Sequence, residues 1–186
     1  MLPKPKTLIA SSLLTILLLV GLSDSALAET TSFPNSQVTK QLTDFKQTAS
    51  EMRREADTLK SMTPNKRLSW ESHTYSLATL KDQVNEMGRA LAELEAQKSI
   101  ATEGQVLAIE HARPHLALVA QNLTQAIELV NENRNSVQWD AYADTVNGIY
   151  AHADALHIKL DTILDYEKVR LRFDRLELEP SSLGGY

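Results

Sequence analysis

The chain has 186 residues, a formal charge of −5 and no cysteine. This excludes a disulfide scaffold, a thiolate metal site, a cysteine nucleophile, covalent c-type haem and a lipid-anchored amino-terminal cysteine. Acidic residues outnumber basic ones by 24 to 19, and the basic residues are scattered among them, which disfavours nucleic acid as a partner because phosphate recognition rests on clustered Lys and Arg.

Residues 1–28 read as a secretory signal peptide that is removed. Lys4 and Lys6 supply a basic start, Leu8 to Leu22 an apolar run, and Ala26-Leu27-Ala28 a small-x-small cleavage site. The segment takes two lysines and one aspartate with it, so the mature chain is more acidic by one charge. No later apolar run approaches the ~20 residues that span a bilayer, so no membrane span is expected after cleavage. The expected location is a bacterial periplasm or the exterior, and the mature chain has enough apolar residues for one core in one domain.

Glycine and proline are sparse in the mature chain, which implies long elements, and apolar residues recur at helical spacing in four blocks. The first seam is Val38, Leu42, Phe45, Ala49, Met52, Ala56 and Leu59, a heptad pattern that stops at Thr63-Pro64-Asn65. Ser69 is placed to cap a second block with the seam His73, Leu77, Leu80, Val84, Met87, Leu91 and Leu94. Thr102 and Gln105 have capping-box spacing at the start of a third. Its seam is Ile109, Ala112, Leu116, Val119, Leu123, Ala126 with Ile127, and Val130. After a polar connection at Asn131 to Asn135, with Ser136 as a cap, the fourth seam runs Trp139, Tyr142, Val146, Ile149, Ala153, Leu156, Leu160 and Ile163. It continues through Tyr166, Val169, Phe173 and Leu176 after a shift of register. Val169 to Phe173 also alternates like a strand, but the surrounding Glu, Lys, Arg and Leu favour helix.

Four such helices bury their stripes most simply as an all-α, up-down-up-down antiparallel four-helix bundle with an extended last helix. The expected organisation is a signal peptide over 1–28, an amino-terminal extension over 29–37, the bundle over 38–178 and a flexible tail over 179–186.

Histidine is the strongest metal-ligand type left in a cysteine-free chain. In an antiparallel pair of helices three and four, His115 falls level with His152, while His111 lies one turn from His115. His111, His115 and His152 are therefore the candidate ligands for a divalent transition metal. Pro114 beside them either bends the third helix or begins its main part. The H-E-x-x-H motif and the paired E-x-x-H of di-iron bundles are missing, and haem is disfavoured because Met52 occupies a core seam.

Two further places carry candidate contacts. Trp70, His73, Trp139 and Tyr142 gather at one end of the expected bundle, where they form either a core plug or a small-ligand surface. At the other end, residues 165–178 are expected to overhang by about 20 Å unless they fold back or meet the extension around Phe33. Tyr166, Val169, Phe173 and Leu176 on that overhang point to a protein partner or a homo-oligomer. No phosphate loop, nucleophile elbow or isolated carboxylate pair is present, so the sequence offers no catalytic constellation and no expected cofactor beyond the alternative of a metal.

Overall fold

The computed structural model describes residues 35–178. The expected signal peptide over 1–28, residues 29–34 of the expected extension, including Phe33, and the expected tail over 179–186 lie outside them. The described chain is all-helical, with four long helices: α1 (Ser36–Met62), α2 (Trp70–Ala96), α3 (Glu103–Glu132) and α4 (Asp140–Leu178). Short 3-10 turns occupy Lys98–Ile100 and Arg134–Gln138. No described helix is long and apolar enough to cross a membrane.

Each start has a local cause. Asn35 accepts hydrogen bonds from the amides of Gln37 and Val38, so α1 begins inside the expected extension. Thr102 and Gln105 form the capping box in both directions. Ser69 precedes α2 but makes no side-chain cap. Ser136 is not a cap either; it is buried within the second 3-10 turn, and Trp139 precedes α4. Pro114 lies inside the continuous α3. Its missing amide leaves the Glu110 carbonyl without the usual helical donor.

The first seam is buried at every position from Val38 to Leu59. The second is buried except at Val84, and the third except at Ile127, both of which are partly covered against the core. The fourth is buried from Tyr142 to Leu160 and half-covered at Ile163. Trp139 departs from the expected seam at 45% exposed, because it lies ahead of the first turn of α4.

Helices α1 and α3 each pack against both α2 and α4, whereas α1–α3 contact is slight, which makes α1–α3 and α2–α4 the diagonals. The α3–α4 contact is the most extensive. Ion pairs Lys46–Asp161 and Arg53–Asp154, both at 2.5 Å, join α1 to α4 along their outer edge.

Candidate functional site

Helix α4 has two apolar faces near its end. Leu160 is buried and Leu164 is partly buried against the core, and Glu167 continues that inward face at 5% exposed. Tyr166, Val169, Phe173 and Leu176 are 69%, 49%, 63% and 66% exposed. At about 100° per residue these four fall within roughly 80° of one another, on the side away from Glu167 and Leu171. The register shift after Ile163 thus carries the stripe out of the core. Ile158, 53% exposed, extends it toward the middle of the helix.

The overhang is shorter than the sequence suggests. The Thr102 hydroxyl donates to Glu167, and Arg170 Nη1 lies 3.4 Å from Glu103 Oε2, so the start of α3 reaches several residues beyond 164 along α4. The connection from Asn133 to Trp139 causes this by displacing the α3–α4 pairing. Burial raises the Glu167 carboxyl above its usual value, with Arg170 opposing. Beside it, Leu42, Leu164 and Leu171 line a groove of about 590 Å³ rimmed by Lys46, Arg172 and Arg175. Sequence reasoning missed this groove, because its walls come from α1, α3 and α4 together.

The histidines divide. His115 and His152 bring their rings to a centroid separation of 6.2 Å at 40°. His111 is exposed one turn away, and His157 is partly buried. Burial, then the neighbouring His152, Lys159 and His111, lower the His115 pKa. Its Nδ1 is buried and has no hydrogen-bond partner among the described residues. No group of three or more His, Asp or Glu side chains is placed to hold a metal ion among the described residues.

At the aromatic end, His73 and Tyr142 are both buried and meet edge to face, with centroids 5.4 Å apart and planes at 72°. The Arg134 guanidinium sits 4.3 Å over the Trp70 ring. Burial lowers the His73 pKa and raises that of Tyr142, so both are neutral at neutral pH. His73 and Tyr142 are used inside the core, Trp70 is partly buried against it, and Trp139 is the exposed member of the four.

Comparison of the chain with protein-family models, curated proteins and solved structures finds no match.

Proposed function

We propose that this is an exported, non-enzymatic helical-bundle protein that works by protein contact through the end of α4, either with a partner or with itself. Its helices run up-down-up-down, each antiparallel to the next. Support for that order comes from Thr102 lying against Glu167 while Asn122 lies against Gly148, so position rises along α3 as it falls along α4. Export to a periplasm or the exterior rests on Lys4, Lys6, the Leu8 to Leu22 run and Ala26-Leu27-Ala28.

The observation that carries the contact reading is the stripe of Tyr166, Val169, Phe173 and Leu176, exposed on the outward face of a helix whose inward face is satisfied. Single exposed apolar residues are ordinary, but an aligned group marks an interaction surface. A photo-crosslinking residue at position 173, in cells expressing the full chain, should give a discrete protein adduct. A control at Arg54, exposed on α1, should not. Absence of any protein adduct from position 173 would remove this reading.

A second reading, a bundle that binds or senses a divalent transition metal through His111, His115 and His152, draws support from the facing His115 and His152 rings. Calorimetric titration with zinc, copper and nickel tests it. The reading expects tight binding that His115→Ala with His152→Ala abolishes, and equal heats from both proteins would end it.

A further inference from the structure

We infer that the outward stripe of α4 is a seam for a second copy of this chain, the two α4 helices lying side by side, parallel and in register. This rests on the reading of α4 as the contact surface and adds what covers it. Thr162, Tyr166, Val169, Phe173 and Leu176 follow one another at steps of four and three, the alternation of a heptad seam. Tyr166 and Phe173 take a positions; Thr162, Val169 and Leu176 take d positions. The flanks are then fixed. Asp165 and Arg172 occupy g positions on one side of the stripe, and Arg170 and Glu177 occupy e positions on the other.

In a parallel pair, each g residue meets the e residue of the following heptad on the other helix. Asp165 of one copy then faces Arg170 of the other, and Arg172 faces Glu177. Twofold symmetry repeats both pairs, and between Thr162 and Leu176 no like charges meet; Lys159 takes the a position before the seam. An antiparallel pair joins g to g and e to e instead. It matches Asp165 with Arg172 but sets Arg170 against the half-buried Ile163 and leaves Glu177 without an opposite charge. The order of signs along both flanks is complementary to itself, which is the property expected of a surface that binds its own copy.

The bundle leaves room for this arrangement. Helix α4 packs on α1 and α3. Asp154, Asp161 and Asp165 face α1 along one side, and Arg170 faces Glu103 of α3 along the other, so Asp165 and Arg170 would meet the other copy from within existing ion pairs. The stripe points away from both neighbours. Ala151 and Ala155 precede it on the same face, with the exposed Ile158 and Lys159 between them and the seam. A seam this short is marginal between isolated peptides, because helix nucleation is unfavourable. Here the bundle has already formed the helix. Arg172 and Glu177 are exposed and take part in no ion pair among the described residues, which leaves both available to another copy.

Sedimentation of the protein as processed by an expressing cell should show a dimer. Val169→Asp with Phe173→Asp should give a monomer with unchanged helical circular dichroism. Arg172→Glu should weaken the dimer roughly five- to thirty-fold, by turning two attractive pairs into repulsive ones, and adding Glu177→Arg should restore it. The chain has no cysteine of its own, so Leu176→Cys should give a disulfide-linked dimer on mild oxidation. A dimer that resists both aspartate substitutions overturns the inference, as does a monomer up to hundreds of micromolar. A dimer linked only when Thr162→Cys and Leu176→Cys are mixed overturns the parallel arrangement. If the position-173 crosslink captures a different protein and never a second copy, the inference fails while the contact reading stands.

Discussion

The Nδ1 atom of His73 lies 3.1 Å from the hydroxyl of Tyr142, a buried hydrogen bond between α2 and α4 across a diagonal of the bundle. Diagonal helices share little other contact, so this bond fixes the relative height of two elements that their neighbours constrain only indirectly. Tyr142→Phe keeps the ring and strands the histidine nitrogen, which should cost about 1–3 kcal/mol of unfolding free energy. Adding His73→Met removes the stranded group and should recover part of that loss. A double-mutant cycle in urea measures the coupling, and strict additivity would show the bond to be energetically idle.

Acid should weaken the fold through His73 and His115. Burial leads the lowering of both pKa values from the usual 6.5, with neighbouring positive charge adding to it at His115. A base with a depressed folded pKa takes its proton more readily when unfolded. The neutral folded form therefore carries no penalty well above 6.5, and stability falls as pH drops through and below that value. Thermal unfolding between pH 8 and pH 5 should show this decline, and His115→Gln should flatten it. An equal slope in both proteins would remove His115 from the account.

Glu167 works in the opposite direction. Its folded pKa lies above the ordinary 4.5, because burial penalises the carboxylate. Below 4.5 the group is largely protonated in both states and costs nothing. As pH rises from there through the folded value, the unfolded chain loses its proton first and stability declines. Glu167→Gln keeps an acceptor for the Thr102 hydroxyl and removes the charge. It should raise the unfolding temperature at pH 7.5 and leave it nearly unchanged at pH 4. A gain of the same size at both values would point to packing instead.

Two helical glycines should respond in opposite ways to alanine. A Cβ at Gly88 would meet nothing within 4 Å, so Gly88→Ala should stabilise α2 by about 0.5–1 kcal/mol. At Gly148 a Cβ would come within 2.5 Å of Asn122 Oδ1, where α4 passes close to α3. Gly148→Ala should therefore gain nothing or lose stability until Asn122→Ala clears the space. Chemical denaturation of the three variants decides the matter, and equal gains at Gly88 and Gly148 would contradict the close approach.

The core was legible wherever burial follows a single helical face. Every position of the Val38 to Leu59 seam is buried, because α1 lies between two neighbours along its length. At the end of α4 the same periodicity marked the stripe of Tyr166, Val169, Phe173 and Leu176, which is exposed as the overhang reading expects, but it was silent on the opposite face. Tyr166 and Phe173 keep heptad spacing, yet the spacing does not reveal which face the neighbours cover, and the covered face holds Glu167. Trp139 failed for a different reason: a 3-10 turn displaced the start of α4 past it. The level placement of His115 and His152 followed from helix rise, and their rings do face each other. His111 was harder to place, since one turn of separation fixes height but leaves it exposed to solvent.

No proline interrupts α4 between Asp140 and Leu178, so one rod reaches from the His73–Tyr142 bond to the tip at Leu176. At 1.5 Å per residue that lever arm is about 51 Å, and a tilt of roughly 5° about Tyr142 would swing the tip by about 4 Å. Such a displacement is comparable to the width of a side chain. The Thr102–Glu167 and Arg170–Glu103 contacts, close to that tip, are accordingly what hold the outward stripe in line.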